Sequence, residues 1–490
     1  MPTQPKSLRA VRPLTIPNAS RRPKTTPHRL TSLQHSATGV RHRSLVRINP
    51  IWYPLAFFQV YLAGSVIAYA FGPVENFTPR PLSLYAYLVA GQIAILIGYW
   101  CGIATRPTTY VGWISPRILI RASLLATLVI LPATLIWRGH GDLSILEALQ
   151  DPGAAYASRV KSIADGEVST RFSMVRGAMA PLLQLFLPLG IVYWKTLSRK
   201  VKMLWLIGVF GIVVQAAMSG TAVGIFDLVL SIPWLFWLAS KLARKKPNLS
   251  AHSQLKAPIR RPSSIKRWAL IGMAGVVLAA GIHYFSYTRQ ARYGLEGNEY
   301  LSWTVNWSKE MYGIQLPNSV EYPTYMLIAY WTNGYEGLSQ CMELPFEWCY
   351  GVGHSAVLMR FSGMLMTDPN FFWDRCYPAR LEAENGYSAT GRWHSIYAWL
   401  ASDLTFPGAL LAVGLLAALM AQSWRDSIGG RNPFAIAFFV QTLMIFYYVP
   451  ANNGRLSFSE EMVAFWVLFA LWRLSRGRIL PNRFPRTRLI

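Results

Sequence analysis

Acidic residues are scarce in this sequence: 22 Asp and Glu stand against 48 Lys and Arg in 490 residues, a formal net charge of +26. Metal-binding spacing is missing too. No CxxC, HExxH or Asp-rich cluster occurs, so nothing in the sequence points to a metal centre or a resident cofactor. Cysteine is rare, with Cys101 in an apolar run and Cys341, Cys349 and Cys376 further on. An oxidising compartment would permit one disulfide among those three, Cys341 with Cys349 being the closest pair. No soluble segment is long enough to form a nucleotide-binding domain, and no internal repeat is visible.

What the chain has in abundance is apolar runs. Ten are long enough to cross a bilayer by the measure of about 20 mostly apolar residues per helix. They fall at 51–71, 83–103, 117–138, 177–195, 202–219, 221–240, 268–286, 396–421, 434–450 and 460–474. The expected fold is therefore an all-α polytopic membrane protein of about ten transmembrane helices. It has two large external loops carrying short amphipathic helices.

The scarce acids are sorted by position. The arm at 1–50 holds 10 Lys and Arg with no acid, and 241–267 holds 9, again with none. Adding 104–121, 195–202, 422–431 and the tail from Arg473 gives 34 cations against one acid, Asp426. The alternate segments hold 19 of the 22 acids, while Asp227 and Asp403 lie inside apolar runs. Basic excess marks the cytoplasmic side, so the alternation predicts ten spans with both termini in the cytoplasm. It also argues against nucleic acid as the partner: these cations abut apolar spans, where they set topology and meet anionic lipid headgroups, instead of covering one soluble face. The arm has no hydrophobic periodicity and is predicted to be disordered. Residues 475–490 form a second basic tail.

Two external segments are too long to be turns, 139–176 and 287–395, and loops of that length usually carry function. The second is crowded with aromatics, Tyr335, Trp348, Tyr350 and Trp393 among them, interleaved with Asn, Gln, Glu and Gly. Such rings either anchor at the membrane interface or stack on sugar rings while neighbouring polar groups bond hydroxyls. Amphipathic helices along the outer leaflet are expected, for example from Thr324 to Ser339, and not a folded globule.

Ionisable groups near the membrane are the natural candidates for chemistry. The two long external loops hold Arg159, Arg171, Arg176, Arg289, Arg292, Arg360, Arg375, Arg380 and Arg392, and the last external turn holds Arg455. A guanidinium fork bonds phosphate oxygens in pairs and keeps its charge, so arginines beside apolar spans suit a lipid-linked phosphate or pyrophosphate. The densest polar stretch runs Gly391-Arg392-Trp393-His394-Ser395 to Asp403, Pro407 and Gly408. His394 is a candidate general base, and Asp403 either caps a broken helix or serves a function. A second stretch joins Asn333-Gly334-Tyr335 to Tyr350-Gly351-Val352-Gly353-His354-Ser355.

These two stretches, with two large external loops between apolar spans, resemble bacterial oligosaccharide repeat-unit polymerases, the Wzy-type O-antigen and capsule polymerases. The resemblance covers residues 140–460 in architecture and short patches in sequence. It implies an inverting, metal-independent glycosyltransferase at the periplasmic face. In that reaction a glycan on undecaprenyl pyrophosphate moves onto the non-reducing end of a new lipid-linked repeat unit. It implies that Arg159, Arg289 and Arg292, with Arg392 nearby, hold the pyrophosphate, and that His394 or Asp403 assists the acceptor hydroxyl. Tyr335 and Trp393 are the sugar-contacting candidates. A flippase and a chain-length regulator are the implied partners. The rivals are an O-antigen ligase, another polyprenyl-linked-sugar transferase, and, from a different class, a polysaccharide or lipid transporter.

Overall fold

The computed structural model describes residues 49–72, 74, 76–106, 108–137, 145–164, 170–221, 223–244, 279, 281–288, 291, 318–389, 392, 394–430 and 432–478. The described chain is all-α apart from one two-stranded ladder. Long helices run over Tyr53–Phe71 (α1), Pro81–Ala104 (α2) and Pro116–Trp137 (α3). Two short ones follow, Ile145–Gln150 (α4) and Pro152–Ala164 (α5). Then come Thr170–Val192 (α6), Arg199–Met218 (α7) and Val223–Arg244 (α8). Asn318–Thr332 (α9), Gly334–Cys341 (α10), Ala356–Gly363 (α11) and Tyr377–Asn385 (α12) fill the long loop. Ile396–Gly430 (α13), Pro433–Tyr448 (α14), the single turn Gly454–Ser457 (α15) and Ser459–Leu474 (α16) complete the chain.

Helix starts follow local chemistry. Proline at the first position opens α2 and α14, where its missing N–H costs nothing. The Asn432 side chain accepts from the amides of Phe434 and Ala435, and Ser198 caps α7 by accepting from Val201.

Among the described residues, seven helices are long and apolar enough to cross a membrane: those of the first six predicted spans and α13. The predicted span at 268–286 falls largely outside the described residues, as do the arm at 1–48 and most of the loop at 241–267. The last two spans appear as 16-residue helices, about 24 Å long at 1.5 Å per residue, shorter than the hydrocarbon core. Helix α14 is buried from Pro433 to Tyr447, so its apolar character answers to protein neighbours. Helix α16 opens on Glu460 and Glu461, which trims its apolar length.

The bundle is organised around α2 and α13. A Cβ on Gly98 would lie 1.9 Å from the carbonyl oxygen of Gly414, and one on Gly102 would lie 2.4 Å from that of Ala418. Gly91 faces Tyr397 in the same way. Residue numbers rise together along both helices, so the pair is parallel, and small residues let the backbones touch.

That direction gives the bundle two chemically distinct ends. One gathers the basic connections. There Arg425 donates to the carbonyls of Ile103 and Arg106, capping the end of α2. Asp426, the one acid of the basic segments, accepts from Trp472 and Thr108 and pairs with Arg476 at 3.0 Å. Thr108–Tyr110 (β1) and Arg476–Arg478 (β2) form an antiparallel ladder beside it, Thr108 opposite Arg478. No strand was expected in either basic segment.

The other end carries the long loop, and here the structure departs from expectation. Tyr335, Leu338, Cys341, Tyr377, Leu381 and Tyr387 are buried in a core continuous with that of the spans. The loop thus folds onto the bundle instead of lying as separate surface helices. The helix expected over Thr324–Ser339 is two, α9 and α10, divided at Asn333. Cys341, Cys349 and Cys376 are free thiols. Cys341 packs in the main core while Cys349 packs with Cys376, Met359, Phe372 and Trp399, so the disulfide expected between Cys341 and Cys349 is not formed.

Candidate functional site

The site begins with a break in α13. Thr405 has φ 63°, a left-handed conformation that a β-branched residue rarely adopts, and Pro407 then opens the long part of the helix. Tyr87 donates to the carbonyl of Phe406, which ties α2 to the chain just after the break. The short segment before the break, Ile396 to Leu404, ends with Asp403 facing the turn at 349–355.

Asp403 organises that turn. Its carboxylate accepts from the amides of Gly353 (2.8 Å) and His354 (2.9 Å), and from Nδ1 of the His354 ring (2.9 Å). With Nδ1 committed as donor, Nε2 of His354 is left with its lone pair. The His354 side chain is 20% exposed, and among the described residues no partner occupies Nε2. A carboxylate-oriented imidazole with one free nitrogen is the arrangement a general base requires.

The turn is seated on the segment that follows α14. Ser355 Oγ donates to the carbonyl of Ser457, and the Ala356 amide donates to Ser457 Oγ. Asn453 donates to the carbonyl of His354 at 2.5 Å, while its own Oδ1 is buried with no hydrogen-bond partner among the described residues. Two residues on, the buried Arg455 pairs with Asp227 of α8, whose other oxygen accepts from Tyr448 at 3.0 Å. The neighbouring acids extend the network: Glu460 pairs with Arg176 at 2.7 Å, and Arg176 also donates to Thr134. Helices α3, α6, α8, α13, α14 and α16 therefore converge on one polar cluster at the mixed-charge end of the bundle. Buried ion pairs add little net stability, so a cluster of this kind signals function.

The sequence candidates fare unevenly. Asp403 stands at the centre, and both motif stretches come together: Ser395 N donates to the carbonyl of Gly334, and Ile396 N to that of Val449. His394 does not serve as expected. It is 1% exposed, bonds the carbonyl of Ser388 through Nε2, and lies edge-on to Tyr387 at 5.0 Å. Burial lowers its pKa to about 4. Its ring is closed off from solvent, whereas the His354 side chain is 20% exposed. Tyr335 is likewise 1% exposed and bonded to Ser65, leaving no face for a sugar. Arg392 is exposed, with its guanidinium 4.8 Å from the Tyr387 ring centre and its charge acting on Glu336. Arg289, Arg292 and Trp393 lie outside the described residues. Arg159 falls in α5, its side chain outside the described set; the same helix meets Ala291, whose carbonyl lies 2.2 Å from a Cβ built on Gly153. Burial pushes the Cys349 thiol up to about 12, and raises those of Cys341 and Cys376, so none is a ready nucleophile.

The buried His394 has a measurable consequence. Its folded pKa, about 4, lies below the unfolded value of about 6.5, so the unfolded chain binds more protons between those limits. Stability from keeping this ring neutral is present above pH 6.5 and lost as pH falls toward 4, by roughly 3 kcal/mol. Melting temperatures of the detergent-purified protein will fall over that window, and His394→Phe will flatten the decline. Equal slopes for the two proteins would refute this account.

Sequence reasoning missed His354 as a chemical group, although its motif was singled out. Nothing in the linear order shows that Asp403, 49 residues later, bonds its ring. The pairing of Asp227 with Arg455, 228 positions apart, is equally silent in the sequence. No family model matches the chain, and neither a curated protein nor a solved structure does.

Proposed function

We propose that this protein is a glycosyltransferase of the repeat-unit polymerase kind, acting on polyprenyl-pyrophosphate-linked oligosaccharide at the external face of a bacterial inner membrane. The observation that supports this most is the His354–Asp403 pair tied through Asn453 to the buried Arg455, all at the bundle end that receives the long loop. Nε2 of His354 takes the proton from the acceptor hydroxyl as its oxygen attacks the anomeric carbon of the donor glycan. The bond from that carbon to the pyrophosphate breaks, and the configuration inverts. The departing negative charge is stabilised by a fixed cation, which is the main catalytic demand when the leaving group is already activated. Arg455 is preorganised for that task by Asp227 and Tyr448, and Arg176 stands on the neighbouring helix pair. The undecaprenyl chain stays in the bilayer against the apolar helices.

Deletion of the gene followed by electrophoresis of the surface glycan tests the reading. The polymer ladder disappears while single repeat units persist; a full ladder in the deletion strain rejects the polymerase, and loss of single units as well points to a ligase.

Arg455 supplies a sharper arm. Arg455→Ala leaves Asp227, itself 24% exposed, without its cation and costs about 1–3 kcal/mol. Joint replacement, Arg455→Met with Asp227→Asn, removes both charges and recovers most of that stability without restoring the ladder. Recovery of the ladder by the double variant would assign the pair to structure alone. Thermal melts and complementation read the two effects separately.

A further inference from the structure

Four and six residues before His354, at the entry to the same turn, stand two side chains that the dyad does not require. Trp348 and Tyr350 stack on each other, ring centres 4.6 Å apart and planes at 28°, yet are 53% and 55% exposed. Tyr350 holds φ 54°, and Gly351 follows at φ 84°. A non-glycine residue persists in that region only where its surroundings hold it there, and such strain gathers at ligand-binding sites.

The surroundings are tight. Cys349 donates its amide to the carbonyl of Ser402, one residue before Asp403, and Val352 donates back to Cys349. Cys349 itself is fully buried, so the exposed rings on either side are fixed to the scaffold that aligns His354. Behind Tyr350 stand Phe371 and Phe372, at 6.1 and 6.3 Å. Polar groups border the platform: Glu347, paired with Arg380 at 3.3 Å, and Arg375, whose guanidinium covers the Phe371 ring at 3.7 Å.

Flat aromatic faces with a carboxylate and guanidinium groups at the rim suit a pyranose ring, whose C–H face is apolar and whose edge carries hydroxyls. We infer that the turn from Trp348 to Ser355 is a sugar-binding subsite, where the exposed faces of Trp348 and Tyr350 stack on the acceptor glycan and bring its hydroxyl toward His354. The inference rests on the glycosyltransferase reading above and gives the acceptor a location on the protein. A bilayer anchor, the other common use of such rings, gains nothing from a strained tie to a carboxylate–imidazole pair. The sugar platform requires that tie, because displacement of the acceptor by about 1 Å at the reacting atoms costs rate.

The probe is the repeat-unit oligosaccharide released by mild acid from the lipid carrier of the deletion strain, titrated against the purified full-length protein by calorimetry. Trp348→Ala with Tyr350→Ala weakens binding about tenfold or more, the worth of one aromatic stack. The paired phenylalanine replacements stay within about threefold. In polymerisation assays with the lipid-linked substrate, the alanine pair raises KM for the acceptor and spares kcat at saturation. Unchanged oligosaccharide affinity in the alanine variant overturns the subsite, even if His354→Ala is inactive and the enzyme reading stands. Trp348 emission quenched by brominated phospholipid, taken as the difference from Trp348→Phe and joined to unchanged affinity, assigns the pair to the bilayer. Should the deletion strain keep its ladder, oligosaccharide released from the parent polysaccharide replaces the probe; loss of its binding in the alanine variant would then preserve a sugar site without the polymerase.

Discussion

Replacing His354 with alanine lowers the rate of polymer formation by about 10²- to 10⁴-fold, the range lost with a general base. Asp403 keeps the amides of Gly353 and residue 354 as donors when the ring is removed, so the turn stays seated and the variant folds and inserts as before. Asp403→Asn produces a comparable loss by another route. The amide offers one acceptor where the carboxylate has two, so it cannot satisfy Gly353, the His354 amide and the ring together. Because the residues act as a unit, the double variant is hardly slower than either single one, and the non-additivity is the signature to seek. Initial rates with purified protein and lipid-linked repeat units supply the measurement. Full activity in His354→Ala would remove the dyad from the mechanism; additive losses would separate Asp403 from the imidazole and leave it as a scaffold for the turn.

The same residues show how far the sequence could be read. Apolar length and charge sorting located seven of the helices that can cross a bilayer and assigned opposite character to the two ends, since both signals are local and additive along the chain. Asp403 attracted notice because an acid in an apolar run is costly, and the helix it was expected to cap if broken does break, at Thr405. Partner choice was another matter. His394 and His354 sit in equally suggestive motifs. Only three-dimensional packing decides that the first faces Gly337 and Tyr387 in the interior while the second keeps a free nitrogen. Tyr335 misled for a related reason. Aromatic richness signals both sugar contact and core, and the loop uses Tyr335, Tyr377 and Tyr387 as core while Trp348 and Tyr350 remain outside. The β1–β2 ladder escaped notice because three residues per strand carry no periodicity, and its central partners, Thr109 and Gly477, are far apart in the chain.

The largest effect on stability is expected from a single methyl group. Gly98→Ala puts its Cβ 1.9 Å from the carbonyl oxygen of Gly414, well inside contact distance, and the obstructing atom is backbone that cannot rotate away. The helices must separate along a seam that also includes Gly91 and Gly102. Overpacking typically costs 1–3 kcal/mol, and the rigidity of this contact places Gly98→Ala at about 3 kcal/mol or more. Gly177→Ala is the internal control: it lies in α6, and among the described residues no atom stands within 4 Å of an added Cβ, so alanine there removes a glycine penalty and stabilises by up to about 1 kcal/mol. The same chemical change thus moves the melting temperature in opposite directions at two helical glycines. The Gly98 effect also reaches the site, because α13 runs from this seam through the break at Thr405 to Asp403. A displaced α13 withdraws the carboxylate from His354, and residual folded Gly98→Ala protein polymerises slowly. If Gly98→Ala melts at the wild-type temperature in the same detergent, α2 and α13 do not touch there, and the parallel packing that aligns the two ends of the bundle is wrong.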